Sequence, residues 1–307
     1  MRPEELAAAS GTHPRYAFEW LQQQAVTGLL SVEGDRFSLP PATAEVLTDQ
    51  HSLAYLSPLG RMFMAAAEQM PALLEAYRTG GGVSWSQLGA DARESQADMN
   101  RPWYEHQLAP ALASVPRVHE LLSRTGAEVL DVGCGAGWSS IALAKACPTA
   151  RISGWDVDAP SVDLARHNAG QADVADRVRF HRGDAAELPR ERFDVAFAFE
   201  CIHDMPQPVE VLAAVRRSLK PGGCLVVMDE AVAEHFTAPG DDLERLMYGF
   251  SLLVCLPDGM SHQPSVGTGT VMRPATLERY ARKAGFGHMT VLPIEEFGFW
   301  RFYALEG

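Results

Sequence analysis

Short apolar segments alternate with longer amphipathic segments through the second half of the chain. Each apolar segment ends at or just before an acidic residue or a glycine, and together they cover residues 128–132, 151–156, 178–184, 192–200 and 219–229. Such alternation is typical of a parallel β-sheet with helices on its faces. Two more apolar segments, 288–294 and 297–305, predict an antiparallel pair that completes the sheet. The pattern predicts an α/β fold with seven strands.

The front of the chain has a different pattern. Two helical segments, 3–10 and 13–26, are joined by a tight turn at Gly11, and two short strand-like segments follow on either side of Gly34. This order predicts a winged helix, a mostly α-helical domain whose shape is used to read DNA. Residues 1–55 contain three basic and seven acidic side chains, a net charge of −4. Since a DNA-binding domain is expected to be basic, the charge argues against a nucleic-acid partner, although a ligand-sensing regulator remains an alternative.

Residues 100–122 link the two patterns. Their apolar side chains recur every three or four positions, which predicts a helical hairpin broken near Pro110 or Pro116. Before this hairpin, Gly80, Gly81 and Gly82 cannot continue a helix and predict a loop.

The stretch from Glu128 to Trp138 joins a predicted strand to a predicted helix through an acid and three alternating glycines. Gly133, Gly135 and Gly137 permit positive φ angles and a close approach to a ligand, and the helix start offers unpaired N–H groups. A dinucleotide-binding loop has the pattern G-x-G-x-x-G or G-x-G-x-x-A. Because Trp138 occupies the third small position, the sequence disfavours a dehydrogenase.

The composition of the chain argues against several functional classes. With 307 residues and 47% hydrophobic content, the chain is long enough for two domains. No apolar run is long enough to span a bilayer and the first residues do not form a signal peptide, so we expect a cytoplasmic protein without a membrane partner. The net charge of −13 opposes binding to nucleic acids and acidic membranes. Five scattered cysteines predict reduced thiols rather than disulfides.

The glycine loop resembles the first motif of class I S-adenosylmethionine-dependent methyltransferases, [D/E]-x-G-x-G-x-G, which Asp131 and the three glycines match. Later segments resemble the family's other motifs: Asp156 ends the second strand 23 positions after Gly133, and Pro221 opens a Pro-Gly-Gly turn before the fifth strand. The resemblance implies a Rossmann-like methyltransferase fold with S-adenosylmethionine as cofactor and S-adenosylhomocysteine as product. It also implies that Asp156, with Asp158 as second choice, holds the ribose. The complete implied cofactor site is Asp131, Gly133, Cys134, Gly135, Gly137, Asp156, Val157, Gly183, Asp184, Ala185 and Glu200.

A winged helix followed by this fold resembles the O-methyltransferases of plants and bacteria, in particular a group of actinobacterial winged-helix methyltransferases. The segments that carry this resemblance are 14–21 and 199–205. It implies that residues 1–110 form the winged helix and linker helices, which dimerise the protein and cover the substrate. Residues 111–307 would then bind the cofactor, with a cap insertion at 231–271. This sequence departs from the pattern in starting without the helix that usually precedes the helix-turn-helix.

His203 follows the fourth strand, where open α/β sheets place their ligands, and it matches the catalytic histidine of the plant O-methyltransferases. A phenol is only about one part in a thousand ionised at pH 7, so a histidine base would assist its methylation. Alternatively, His203 caps a helix predicted at 206–219. Asp184, Asp204, Asp229 and Glu230 could converge, but no spacing among them requires a metal, and we predict none.

The acceptor is the least defined part of the prediction. Tyr104, Met247, Phe250 and His262 are candidate pocket walls, and an apolar, aromatic lining would suit a flat hydrophobic small molecule. The alternative is that the helix carrying Met247 and Phe250 only packs against the front domain. We therefore expect methyl transfer to oxygen or nitrogen of an apolar, aromatic acceptor by a homodimer. Relatives that use the same cofactor for non-methylating chemistry provide a further alternative.

Overall fold

The computed structural model describes all residues from 1 to 307, and its contacts divide the chain into two compact units, Met1–Gly60 and Arg61–Gly307. The first unit contains helices α1 (Pro3–Ser10) and α2 (Pro14–Val26), strands β1 (Ser31–Glu33) and β2 (Arg36–Ser38), and helix α3 (Pro41–Thr48). Strands β1 and β2 pair antiparallel, so a helix-turn-helix is followed by a two-stranded wing. The predicted boundary after residue 110 falls inside the second unit.

The remaining helices begin with α4 (Pro58–Glu68) and α5 (Met70–Thr79). They continue as α6 (Trp85–Trp103), α7 (Ala109–Ala113), α8 (Pro116–Leu122), α9 (Trp138–Ala146), α10 (Ala159–Gln171), α11 (Pro208–Ser218), α12 (Asp242–Phe250), α13 (Leu256–Met260) and α14 (Pro274–Lys283). The strands of the second unit are β3 (Glu128–Val132), β4 (Arg151–Asp156), β5 (Val178–Arg182), β6 (Phe193–Phe199), β7 (Leu219–Glu230), β8 (His288–Val291) and β9 (Trp300–Glu306). None of the helices is long and apolar enough to cross a membrane.

Seven strands form one sheet in the order β5-β4-β3-β6-β7-β9-β8. Strands β3 to β7 run parallel, and β9 pairs antiparallel with both β7 and β8. The predicted α/β fold with an antiparallel final pair is confirmed. The strand order reverses between β3 and β6, and in such sheets this position opens a crevice at the carboxyl ends of the strands.

Strand β6 lies in the middle of the sheet and is buried along its whole length. Its side chains are therefore apolar on both faces, as expected for a central parallel strand. The exception is Asp194 near its start, which accepts the backbone N–H of Glu128 and pairs with Lys220 at 2.7 Å. Phe197, Phe199, Phe297 and Phe302 belong to the core on one face.

The linker helices form one bent arm. Helix α6 bends at Gly89, whose φ is +79°, and continues through a π-helical turn at Tyr104–Leu108 directly into α7. The chain breaks at Val115, so Pro116 begins a new helix while Pro110 lies inside a helical stretch. Pro110 fits there because the wider π-helical turn relaxes the hydrogen-bond pattern that a proline would otherwise interrupt.

The segment after β7 forms the predicted insertion. It consists of α12, a π-helical turn at Ser251–Cys255, and α13. Asp258 of α13 accepts the backbone N–H of Trp85 at 2.7 Å, and Val83 donates its N–H to Pro257 O. A Cβ on Gly82 would lie 2.1 Å from that same carbonyl oxygen, which explains the glycine at this position. The insertion therefore holds the start of α6.

Candidate active site

The acid of the glycine loop is fully enclosed by the protein. Asp131 is 1% exposed, and one of its oxygens accepts both Ser139 Oγ and Ser140 Oγ at 2.6 Å. Burial raises the pKa of Asp131 to about 6, although the two serine hydrogen bonds oppose this shift. The carboxylate thus ties the end of β3 to the first turn of α9 and fixes the loop between them.

The three glycines of the loop have different surroundings. Their φ angles are +66°, +49° and +81° for Gly133, Gly135 and Gly137. A Cβ on Gly133 would lie 2.7 Å from Cys201, and a Cβ on Gly137 would lie 2.6 Å from the ring of Phe180. A Cβ on Gly135 would meet nothing within 4 Å. Gly135 is therefore the glycine whose missing side chain leaves a cradle, as a bound cofactor requires.

Asp156 lies directly beside this cradle. Its carboxylate accepts Gly135 N–H and Asp158 N–H, both at 2.9 Å, and burial raises its pKa. Asp158 is occupied differently, because it accepts Ser161 N–H at the start of α10 and pairs with Arg93 Nε at 2.7 Å. Of the two acids, the structure places Asp156 at the loop and uses Asp158 to anchor α6. Val157 between them is 67% exposed.

The next predicted cofactor residues lie where β5 ends. Gly183 lies under the ring of Trp155, where a Cβ would come within 2.9 Å, and that ring stacks on His181 at 4.8 Å. Asp184 accepts Ala186 N–H and caps the short 3-10 turn that Ala185 begins. These groups follow a strand adjacent to β4, as an adenine-binding edge would require.

Glu200 directly follows β6, and its backbone lies in the left-handed region with φ +49°. Its carboxylate accepts hydrogen bonds from the Asn100 side chain and from the indole N–H of Trp300, and Gln96 Nε2 lies 3.5 Å away. Burial raises the pKa of Glu200 to about 7.

Sequence reasoning did not include the polar face of α6 in the site. Arg93, Gln96 and Asn100 recur every three or four residues on this helix and contact Asp158 or Glu200. Their helical spacing was the available signal, but a solvated helix face has the same spacing.

His203 lies in a 3-10 turn after β6 and is 2% exposed. Its Nδ1 lies 2.9 Å from Asp229 Oδ1 and 3.5 Å from Glu230 Oε2, whereas Nε2 lies 3.3 Å from Asp204 Oδ1. Burial lowers the pKa of His203, but the three carboxylates outweigh burial and hold this pKa well above its usual value. The histidine is thus fixed through Nδ1 to the end of β7, and does not cap α11, which begins at Pro208.

The groups around His203 are as close together as the ligands of a metal ion. One ligand atom each from His203, Asp229 and Glu230 lies within 4.8 Å of the others, and His203, Asp204 and Cys255 form a similar group. The hydrogen bond from Nδ1 to Asp229 requires a proton on this nitrogen, so Nδ1 cannot bind a metal while this hydrogen bond is present. Nε2 faces Asp204 and Cys255, and the hydrogen bond of Nδ1 does not prevent metal binding on that side. We interpret the arrangement as a hydrogen-bonded histidine that is oriented by a carboxylate.

The four candidate substrate residues are not gathered in one place. Tyr104 is buried against Phe199, at 5.7 Å between ring centres, and burial raises its pKa well above the usual value. Met247 is buried, and Phe250 stacks on Phe63 at 5.6 Å. His262 is exposed. The cap residue that reaches the histidine is Cys255, which sequence reasoning did not select.

Comparison with known proteins agrees with this geometry. A family model described as a methyltransferase domain matches residues 123–255. The chain is 34% identical over 149 residues to the 27-O-demethylrifamycin SV methyltransferase of Amycolatopsis mediterranei, covering 47% of this chain and 54% of that protein. It is 31% identical over 262 residues to an uncharacterized 37.1 kDa protein of Streptomyces fradiae, covering 84% of this chain and 64% of that protein. The chain thus spans about half to two thirds of the length of these relatives.

Solved structures share the fold over the full chain. An O-methyltransferase family protein from Burkholderia thailandensis superposes with a TM-score of 0.75 at 20% identity, covering 100% of this chain and 88% of that one. Human N-acetylserotonin methyltransferase, in complex with S-adenosylmethionine, superposes with a TM-score of 0.71 at 17% identity, covering 100% and 87%. Residues 123–255 therefore match a methyltransferase domain, and the chain has the fold of the solved O-methyltransferases.

Proposed function

We propose that the protein transfers the methyl group of S-adenosylmethionine to an oxygen or nitrogen atom of an apolar, aromatic small molecule. The observation that carries the proposal is the placement of His203, held by Asp229 at 2.9 Å, in the turn that follows strand β6. The open side of Gly135 next to Asp156 provides a cradle that fits the cofactor. The bound cofactor would supply an electrophilic methyl group, and the protein would align it and handle one proton.

In this proposal, different residues fix the loop, bind the cofactor and accept the proton. Asp131 and its serine partners fix the loop, Asp156 binds the ribose, and the segment 183–185 contacts the adenine. Asp229 keeps the proton of His203 on Nδ1, so that Nε2 is the nitrogen that accepts the acceptor's proton during attack. This orientation is why a histidine–carboxylate pair is more effective than a histidine alone.

The lining of the cap suggests the acceptor class. Phe250 of the cap is only partly buried, against Phe63, and flat apolar molecules stack well on such rings. We propose that the natural acceptor is a small molecule and that the first unit mediates a homodimer. Native mass spectrometry of the purified protein reports the subunit number directly.

Titration calorimetry with S-adenosylmethionine and S-adenosylhomocysteine tests the cofactor. Binding in the micromolar range is expected, and Asp156→Ala should weaken it at least tenfold. If neither compound binds and Asp156→Ala changes nothing, the proposal is wrong.

His203→Ala tests the base. Turnover of phenolic or amine acceptors should fall by about 100- to 10,000-fold, the usual contribution of general base catalysis, while the affinity for S-adenosylhomocysteine stays unchanged. His167→Ala is a matched control, because this histidine lies exposed on α10, outside the site. Full activity of the His203 variant would show that it only positions other groups.

A further inference from the structure

The charge around His203 is strongly one-sided. Asp229 and Glu230 face it from β7, Asp204 from its own turn, and Glu200 from the end of β6. The remaining titratable neighbours are the Cys201 and Cys255 thiols, together with Tyr303 of β9, which faces the same two β7 acids. A basic neighbour of the cluster, Arg301 of β9, lies opposite Asp229 in the strand pairing and donates to Val232 O at 3.2 Å.

The oxygens of this cluster are not fully satisfied. Asp204 Oδ1, Asp229 Oδ2 and Glu230 Oε2 are buried and have no hydrogen-bond partner. Buried carboxylates without partners are costly, and a positive charge nearby relieves this cost. Burial and the neighbouring acids raise the pKa of Asp204 and Glu230, so protonation of these groups relieves part of the cost. His203 is the nearest group that can supply a positive charge, by keeping protons on both ring nitrogens. A doubly protonated imidazole is not a base, however, so this state cannot perform the proposed reaction.

The proposed cofactor would supply the missing charge. S-adenosylmethionine carries a sulfonium cation, whereas S-adenosylhomocysteine is neutral at the same sulfur. In sheets of this topology the ligand lies at the carboxyl ends of β3 and β6, and Glu200 and His203 follow β6 directly. A second positive charge in a buried cluster repels the first, so the two cations compete for the same carboxylates.

We propose that the charge of the methyl donor controls the protonation of His203, so that the base forms only when the sulfonium is bound. This inference rests on the proposed function. Binding of the sulfonium releases the proton from Nε2 to solvent, and Nδ1 keeps its proton for Asp229. During transfer the acceptor's O–H or N–H proton moves to Nε2, the new bond to the methyl carbon forms and the sulfur–methyl bond breaks. One positive charge disappears at sulfur as one appears on the imidazole, so the net charge of the cluster is unchanged.

Proton release on binding tests this inference without any turnover. We would titrate the full-length protein with S-adenosylmethionine and with S-adenosylhomocysteine near neutral pH, in buffers of different ionisation enthalpy. The slope of the binding enthalpy against the buffer enthalpy gives the number of protons exchanged. S-adenosylmethionine should release more protons than S-adenosylhomocysteine, with a difference approaching one proton. Sinefungin, which carries an ammonium group in place of the sulfonium, should behave like S-adenosylmethionine.

His203→Gln is the decisive variant, because it removes the group that is proposed to titrate. The protons that this variant still exchanges on binding come from the amino group of the ligand and define the background. The difference between the two ligands should shrink to this background in His203→Gln and persist in the control His167→Gln, whose histidine is exposed on α10. If the wild type and His203→Gln show the same difference, the inference is wrong while the proposed function stands. If neither ligand binds the wild type, the proposed function itself is wrong.

Should His203→Gln fail to fold, carbon and proton shifts of the histidine rings in the wild type give the same answer. The His203 ring should change from the doubly to the singly protonated form with S-adenosylmethionine and not with S-adenosylhomocysteine. Identical ring shifts in the two complexes would overturn the inference.

Discussion

Two glycines of the loop have different roles: Gly137 allows close packing in the fold, and Gly135 leaves room for a ligand. Gly135 and Gly137 both have positive φ angles, +49° and +81°, yet only Gly137 is packed against other side chains. Its Cβ would lie 2.6 Å from Phe180 and 2.9 Å from Ala165, whereas the Cβ of Gly135 would point into open space. We therefore expect Gly137→Ala to damage the fold and Gly135→Ala to damage the cofactor site.

The sizes of the two effects follow from the local geometry. A left-handed backbone costs an alanine roughly 1–2 kcal/mol, and the lower entropy of the unfolded chain offsets about 0.4–1 kcal/mol of this. The free energy of unfolding should thus fall by about 1 kcal/mol in Gly135→Ala. Gly137→Ala adds overpacking of about 1–3 kcal/mol, for a total of about 2–4 kcal/mol. At about 2–4 °C per kcal/mol, Tm should fall by roughly 2–4 °C and 5–15 °C respectively.

Thermal unfolding and titration with S-adenosylhomocysteine measure the two effects independently. Gly135→Ala should remain folded with at least tenfold weaker binding, because its methyl group would occupy the cradle. The reasoning about packing is refuted if Gly137→Ala is no less stable than Gly135→Ala. The assignment of the cradle is refuted if Gly135→Ala binds the ligand as tightly as the wild type.

Two other variants test how the cap and α6 are held. Arg93→Ala breaks a nearly buried ion pair with Asp158, so S-adenosylhomocysteine should dissociate faster in stopped-flow fluorescence. Arg61→Ala is the control: its ion pairs lie on the exposed side of α6, so this variant should not change the dissociation rate. Burial raises the pKa of Asp258 to about 7. Between about pH 4 and 7 this carboxyl group is therefore protonated in the folded protein and ionised in the unfolded chain, so the free energy of unfolding falls as pH rises through this window. Asp258→Asn can still accept the Trp85 N–H, so urea unfolding should show less loss of stability in this range; an unchanged pH profile would contradict the reasoning.

The strands and the glycine loop could be predicted because their signals are local. Apolar periodicity identified every strand of the sheet, and the alternating glycines from Gly133 to Gly137 marked the turn into α9. The sequence does not fix the position of the break between the linker helices, since Pro110 and Pro116 are equally strong local signals. The π-helical turn at 104–108, which accommodates Pro110, depends on packing rather than on any local pattern.

The partners of the site residues depend on contacts far apart in the chain. Arg93 and Asn100 contact Asp158 and Glu200 from 65 and 100 positions away. Their spacing alone does not distinguish a functional face from a solvated one. The pairing of His203 with Asp229 is easier to predict from the sequence. Strands β6 and β7 are parallel neighbours, with Phe199 opposite Met228, so residues that follow these strands must lie at the same edge of the sheet.

Three of the four buried carboxylate oxygens that have no hydrogen-bond partner lie in the proposed active site. Asp229 and Glu230 are buried and Asp204 is partly buried, and each has an unsatisfied buried oxygen near one imidazole. An apolar cluster of similar volume would be less costly to bury. Chains depart from the rules of stability mainly where function requires it. A purely structural histidine would need a single acceptor for its Nδ1 proton, and Asp229 alone provides it. A positive charge that enters the cluster would explain the additional acids, and the sulfonium of the proposed cofactor is such a charge.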